Sequence, residues 1–441
     1  MLKKYKKWVD IDYSKFIVAD DEIQDSDILY GLPRKIKFCK KCVLSNQRPN
    51  SCREFQYKIG ENKETIHFDN NCICDACNNF SNKLKNINWD EREKELKDLC
   101  DRFRKNDGSY DCLVPGSGGK DSFYVSHVLK YKYNMHPLTV TWAPHIYTTW
   151  GFKNFESWIH SGFDNYLCTP NGKIHRLLTR LALENLYHPF QPFILGQKQL
   201  APKVAKLFGI KLVFFGEHEA EYGNPIKENS KSTRDKKYYT IENPKDVLLA
   251  GIPVGELVDE YGIDISDLSI YLPQIQDEID DNNLEVHYMG YYKNWHPQEM
   301  YYYAMENGDF KPAPERSAGS YSKYSGIDDR IDDLHFYTTY IKFGIGRATY
   351  DAAQEIRNGE ITREEAVALV RKYDGEYPAR FEKENFEYLS IDKKHFPRES
   401  NFFEQPIMTK EYFKNITDRF RSPHLWKYEN ETWKLRHTVF E

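Results

Sequence analysis

From about residue 111 the chain alternates short apolar runs with amphipathic stretches. The runs predict strands at 111–115, 138–142, 165–168, 193–195 and 211–215, and the stretches between them predict helices, among them 121–131 and 174–187. Val125, Val128 and Leu129 give the first helix its i, i+3, i+4 spacing; Leu177, Leu178, Leu181 and Leu186 suit the second. A more polar helix is predicted over 89–104, with Leu96 and Leu99 on one side. Such alternation argues an α/β fold, a doubly wound parallel sheet with helices on both faces, whose ligands bind beyond the carboxyl ends of the strands.

Outside this unit the pattern changes. Residues 1–35 show no clear period and are expected to form an arm, while 36–81 are loop-rich and hold Gly60, Asn62, Asn70 and Asn71. The α/β unit is expected over 82–225. A mainly helical C-terminal region, 226–441, follows. Its charged start, including Asp277-Glu278-Ile279-Asp280-Asp281, reads as a solvated face or insertion. Residues 287–303 concentrate Tyr288, Tyr291, Tyr292, Trp295, Tyr301, Tyr302 and Tyr303, a pattern that favours packing over ring stacking on a ligand. Gly319-Ser320-Tyr321-Ser322-Lys323-Tyr324-Ser325-Gly326 has the makings of a lid or of a plain surface loop. Lys342-Phe343-Gly344-Ile345-Gly346-Arg347 leads into a helix ending near Gly359, and Thr362-Arg363-Glu364-Glu365 is a capping box that opens another.

Composition narrows the class. At 441 residues the chain has room for two or three units of ~150 residues each. Lys and Arg total 62 against 67 Asp and Glu, a formal charge of −5, which gives no general pull on a polyanion and argues against a nucleic-acid partner. No run of ~18 apolar residues predicts a membrane span. The basic start, Met1 to Trp8, lacks the apolar core of a signal peptide, so a cytoplasmic location is expected.

Nine cysteines in so long a chain do not suggest a disulfide framework. Cys39 and Cys42, with Cys74 and Cys77, form two Cys-x2-Cys knuckles, the spacing with which four thiolates close a tetrahedral shell around structural zinc. A redox pair, free thiols and an iron–sulfur cluster are the alternatives. Cys52 and Cys72 leave the ligand set open, since either can stand in for a knuckle member.

The chemistry converges on Val114-Pro115-Gly116-Ser117-Gly118-Gly119-Lys120-Asp121-Ser122, an apolar run that breaks into a glycine-rich turn before a helix. Glycines let successive N–H groups turn toward one anion, and the helix start adds its positive dipole end. Neither Gly-x-x-x-x-Gly-Lys-Ser/Thr nor Gly-x-Gly-x-x-Gly is present. Ser117, Gly118, Gly119, Lys120, Asp121 and Ser122 are the candidate phosphate-binding residues. Thr141 and Trp142, at the end of the second predicted strand, are further nucleotide-contacting candidates. Segments 143–145, 196–198 and 216–223 are expected around the same site. Glu217, Glu219 and Glu221 alternate, so an extended loop would face them one way to hold Mg²⁺ or orient an attacking amine; a solvated acidic loop is the plain alternative. Lys342 and Arg347 are candidates for holding an anionic group, against a surface ion pair.

The Ser-Gly-Gly-x-Asp-Ser string resembles the pyrophosphate loop of the PP-loop ATPases, which cleave ATP between its α and β phosphates and activate a substrate oxygen as an adenylate. With the cysteine knuckles, Glu217 and Glu219-Ala220-Glu221-Tyr222-Gly223, Gly290-Tyr291-Tyr292-Lys293-Asn294-Trp295, Tyr321-Ser322-Lys323-Tyr324 and Lys342 to Asp351, the chain from Cys39 onward resembles the N-acetyl sugar amidotransferases of bacterial surface-polysaccharide (lipopolysaccharide, O-antigen) and nonulosonic-acid biosynthesis. Two positions depart from that family: His218 stands where it has Asn, and Cys72 where it has Gly.

The resemblance implies a PP-loop (adenine nucleotide α-hydrolase-like) fold, ATP and Mg²⁺ as cofactors beside structural Zn²⁺, and conversion of an acetamido group to acetamidino with release of AMP and pyrophosphate. It implies Asp121, Glu217, Glu221, Lys342 and Arg347 as catalytic residues. Leu2 follows Met1 where an N-terminal nucleophile would be exposed, and no cysteine sits in a Gly-x-Cys-x-Gly elbow. Ammonia is therefore expected from a separate glutaminase subunit, with a cyclase-like channel subunit as a further candidate partner. The rival classes are a PP-loop tRNA thiolase or lysidine-type enzyme, and a scaffold that only binds nucleotide. The sugar, its linkage to a nucleotide and the oligomeric state are not legible in the sequence.

Overall fold

The computed structural model describes residues 10–51, 53–218, 221, 231–275, 283–395 and 402–441. At its centre lies a parallel sheet of five strands: β1 (Cys112–Pro115), β2 (Pro137–Trp142), β3 (Asn165–Cys168), β4 (Leu212–Phe215) and β5 (Glu285–Tyr288), in the spatial order β3-β2-β1-β4-β5. Leu113 pairs with Leu138 on one side and Val213 on the other; Val213 in turn pairs with Val286.

Side chains alternate between two cores, as the pleat requires. Leu113, Leu138, Val140, Val213 and Val286 pack with α5 (Gly172–Leu186) and α6 (Gln191–Leu207). Cys112, Val114, Leu212 and Phe214 face the opposite way, onto α2 (Trp89–Phe103) and α3 (Lys120–Tyr131). Both faces are covered, which is why β1 and β4 read as continuous apolar runs. The order reverses between β1 and β4. A crevice opens at their carboxyl ends, where such sheets bind ligands.

Two elements differ from expectation. Residues 193–195 lie within α6, whose buried Leu195, Gln199, Ala201, Pro202, Val204 and Ala205 keep a helical period beyond the short apolar run, with Pro192 in the first turn. Segment 196–198 is consequently helix interior rather than a loop after a strand. The fifth strand comes instead from 285–288, beyond residue 225. Its polar members hid it: Glu285 is held at the sheet edge by Arg102 at 2.8 Å, and His287 Nδ1 lies 2.8 Å from Tyr292 Oη.

Residues 10–35 run as short 3-10 turns against the C-terminal hairpin, Trp426–Glu429 with Thr432–Leu435. Arg436 ties the two, donating to Val18 O at 2.9 Å and to Asp20 Oδ1 at 2.8 Å. α1 (Asp75–Asn86) follows the second knuckle. α4 (Thr149–His160) and α7 (Pro297–Gly308) flank α3, and α8 (Asp332–Phe343), α9 (Arg347–Asn358) and α10 (Arg363–Tyr373) make a helical C-terminal region. Thr362 and Glu365 form the expected capping box, and Gly359 closes α9 at φ +81°. Residues 277–281, with Cys52, Glu219, Ala220, Tyr222 and Gly223, lie outside the described residues. Among the described residues, no helix is long and apolar enough to cross a membrane.

Candidate functional site

The crevice at the β1/β4 reversal is a cleft of about 560 Å³. Ser117, Gly119, Lys120 and Asp121 line it from the loop after β1, and Glu217 from the segment after β4. Gly118 sits at φ +85°, a left-handed conformation, and a Cβ there would stand 2.6 Å from the Phe155 Cα on α4. Both facts require glycine. Ser122, in the first turn of α3, donates to Gly119 O at 3.1 Å and fills the space a Gly116 side chain would need. Gly119 caps the helix, and around it only Ser117 Oγ comes within 4 Å of where a Cβ would be. The start of α3 therefore points its unpaired N–H groups into the cleft, as an anion cradle does.

Lys120 Nζ lies 2.5 Å from Asp121 Oδ2, while Asp121 Oδ1 is buried with no hydrogen-bond partner. A buried carboxylate oxygen left unmatched is a ligand position for a cation or donor arriving with a substrate. Glu217 keeps part of its surface open to the cleft, yet burial, with the Asp121 carboxylate second, pushes it up to about 7 against the pull of Lys120 and Arg347. A carboxyl raised in this direction can hold and release a proton closer to neutrality than an ordinary one, as an acid–base group must.

The opposite wall belongs to the C-terminal region. Asp328 accepts a bond from the Ser117 side chain, with burial raising its carboxyl, and a Gly151 side chain would collide with its backbone. Arg347 Nε lies 2.9 Å from Asp351 Oδ1. Burial alone would lower this guanidinium, but Asp351, Asp332 and Glu217 hold it above its ordinary value. Asp332 is pushed well up, by burial first and then by Asp328, Asp329 and Asp333. Lys342 lines the cleft's far end, donating to Leu186 O at 2.7 Å and to Tyr57 Oη at 3.1 Å.

Other expected site residues stand elsewhere. Thr141 is buried and takes a bond from Asn165 Nδ2 at 3.0 Å; Trp142 is wedged over Gly196 and makes edge contacts with His175 and Tyr271. Neither lines the cleft. His145 is buried against Asp329 at 2.7 Å, a structural tie. Glu221 is buried in an ion pair with Lys83. The 319–326 segment is a wall rather than a free flap, since Ser320 donates to Asp351 at 2.6 Å and Tyr321 to Glu355 at 2.7 Å. Among the aromatics of 287–303, Tyr288, Tyr292 and Trp295 are buried, while Tyr302 is exposed. Sequence reasoning missed Asp328 and Asp351. The doubled acids Asp328-Asp329 and Asp332-Asp333, four residues apart, were the available signal for Asp328; Asp351 had none.

Below the cleft, the Sγ atoms of Cys39, Cys42, Cys74 and Cys77 all lie within 4.8 Å of one another, fully buried. Cys42 Sγ and Cys74 Sγ are 3.6 Å apart, close to the ~3.8 Å edge of a tetrahedron with ~2.3 Å zinc–sulfur bonds. Backbone N–H groups of Lys41, Cys42 and Cys74 each point at Cys39 Sγ from 3.4 Å. The crowded thiols drive one another apart, Cys39 far down and Cys42 far up, so four thiolates together require a cation. The four residues fit a metal such as zinc. Cys72 is left out of the shell: at φ +60° it makes the turn before the second knuckle, a conformation that glycine adopts more easily.

Residues 318–439 match the family model for the C-terminal domain of WbpG-like LPS biosynthesis proteins. The WbpG-like stretch is the one that supplies Asp328, Arg347 and Asp351 to the cleft and α9 and α10 to the cysteine module. A separate comparison finds 31% identity over 78 residues with the uncharacterized protein MJ1599 of Methanocaldococcus jannaschii. That match spans 18% of this chain and 27% of the relative.

Proposed function

We propose that the chain is an ATP-dependent, AMP-forming amidotransferase that turns an acetamido group of an N-acetyl sugar into acetamidino in surface-polysaccharide biosynthesis. The observation that carries this reading is the shared cleft, in which a Ser-Gly-Gly-Lys-Asp-Ser cradle faces Arg347 and Asp328 of a WbpG-like domain. In the proposed reaction the acetamido oxygen attacks the α-phosphorus of ATP, the α–β bridging bond breaks and pyrophosphate leaves. Ammonia then adds to the activated carbon and the C–O bond to AMP breaks, so O is replaced by NH. An amide oxygen is otherwise a poor leaving group, which is why adenylation comes first.

The cradle N–H groups and Lys120 would receive the departing pyrophosphate, with Arg347 balancing charge on the substrate side. Mg²⁺ when bound, near the unpartnered Asp121 oxygen, would neutralise phosphate charge. Glu217 takes the proton that the ammonia nitrogen loses. The ammonia itself is assigned to a separate glutaminase subunit. The test is to incubate the protein with ATP, Mg²⁺ and ammonium against a panel of acetamido sugars, and separately tRNA, measuring AMP and product mass. Sugar-dependent AMP, with a product lighter by the difference between O and NH, supports the reading. AMP that depends on tRNA, or turnover of glutamine by the chain alone, overturns it.

A further inference from the structure

The cleft does not explain why Glu221 is buried away from it. The Glu221 carboxylate and the Lys83 ammonium form a pair whose side chains are only 6% and 10% exposed. Lys83 is on α1, which begins directly after Cys74 and carries Cys77. The Glu221 amide donates to His218 O at 3.0 Å, while its carbonyl accepts from Arg357 Nη2 at 3.2 Å. Arg357 lies in the last turn of α9, the helix that Arg347 opens. Burial, then Arg357, draws the Lys83 ammonium down to about 8.

The module is bolted to α9 and α10 as well. Ala352 and Ala353 of α9, with Ala366 and Val370 of α10, pack in one cluster with the four cysteines. Arg363 donates to Cys42 O at 3.2 Å and reaches Cys39 O at 3.5 Å. Two elements that line the cleft therefore meet the cysteine module: α9 directly, and the segment after β4 through Lys83 of α1. Upstream, that segment is held by Gly290 N–H donating to Gly216 O at 2.9 Å. Glu217 lies between this anchor and Glu221.

We propose that Lys83 is a positioning residue for the candidate catalytic centre: its buried pair with Glu221 fixes the segment after β4 and so sets where Glu217 stands against Asp121 and Arg347, with the cysteine module as the base. The inference rests on the role given to Glu217 above. Removing one partner leaves a buried charge uncompensated, which the chain relieves by moving the segment or protonating Glu221; removing both charges relieves it without that movement.

The experiment compares wild type with Lys83→Met, Glu221→Gln and the double variant, reading metal content, amide exchange of peptides covering 213–218, and sugar-dependent AMP formation. Lys83→Met is expected to keep its metal, to exchange faster at 213–218, and to lose about ten- to a hundredfold in kcat with little change in KM for ATP. The double variant recovers protection, and Lys83→Arg restores both protection and rate. Chelating the metal from wild type raises exchange at 213–218 together with 39–77. Protection at 213–218 that is unchanged in Lys83→Met, or that survives chelation while 39–77 opens, overturns the proposal. Should Lys83→Met fail to fold, Glu221→Gln is read on the same peptides, and unchanged protection there has the same meaning. The exchange readout needs no turnover, so a wild type that forms no AMP sinks the amidotransferase reading alone.

Discussion

Around the sheet, Leu113, Val213 and Val286 disappear beneath α5 and α6 while Val114 and Phe214 disappear beneath α2 and α3, so the strands are held by apolar burial on two sides. Between Ile36 and Ser81 no such layering exists. There Cys39, Cys42, Cys74 and Cys77 are the centre, with Val43, Leu44 and Ile66 about them and the α9 and α10 alanines against them. A core of that size cannot offset the backbone entropy of so many loop residues. The sheet therefore carries its own stability, whereas the module depends on docking and on the metal that its four thiols could hold. Both contribute walls to one cleft, and a defect in either is expected at the same site by a different route.

The difference is broken most sharply by removing the metal. Structural zinc in small modules contributes ~10–16 kcal/mol at neutral pH. Chelation, or Cys74→Ser, is expected to unfold 36–81 and expose the apolar faces of α9 and α10, read as loss of bound zinc and a lowered melting temperature. A module that stays protected after metal loss would erase the distinction. Next comes the sheet: Leu113→Ala, at a position with no exposed surface, is expected to cost about 2–5 kcal/mol by denaturant unfolding while zinc content stays constant. Zinc lost in parallel would mean that the two regions are one cooperative unit.

A smaller effect reports on the cleft where they meet. The Glu217 carboxyl is raised, from 4.5 to about 7, so the ionised form gains population as pH rises through 7. With Glu217 as the base, AMP formation climbs over that interval. Glu217→Gln is expected to abolish the ascending limb and to lower the rate about ten- to a hundredfold. An identical limb in the variant would assign the titration to another group. Smallest of all, Thr362→Ala removes a capping box on α10 and is expected to cost about 1 kcal/mol, seen as a modest fall in melting temperature with the rate unchanged.

How far the sequence reached follows from which interactions are local. The glycine cradle is set by neighbours within a few residues, and the observed helix starts at Lys120 beside the expected Asp121. Strands β1 to β4 and the Thr362 box were legible for the same reason. The four-thiol cluster was legible because knuckle spacing is itself a local constraint, and among the described residues the left-handed turn at Cys72 leaves that cysteine outside the cluster. β5 was not legible, because Glu285 and His287 are made tolerable in a strand by Arg102 and Tyr292, which sequence distance conceals. Phe193 to Leu195 misled in the opposite sense, a short apolar run whose helical continuation lies in Ala201, Val204 and Ala205. Glu221 and Glu217 share an alternating motif, yet only the fold separates the buried partner of Lys83 from the group that faces the cleft.

The parallel pairing of β4 with β5 also governs the order in which the molecule can be made. Phe215 ends one strand and Glu285 begins the other, so on a ribosome adding ~5–20 residues per second β4 waits on the order of several seconds with one flank of its backbone groups unanswered. All four thiols of the cysteine cluster have emerged long before then. Metal loading by those thiols would accordingly precede completion of the sheet, and shortage of metal during synthesis would leave α9 and α10 without a seat at the moment they appear.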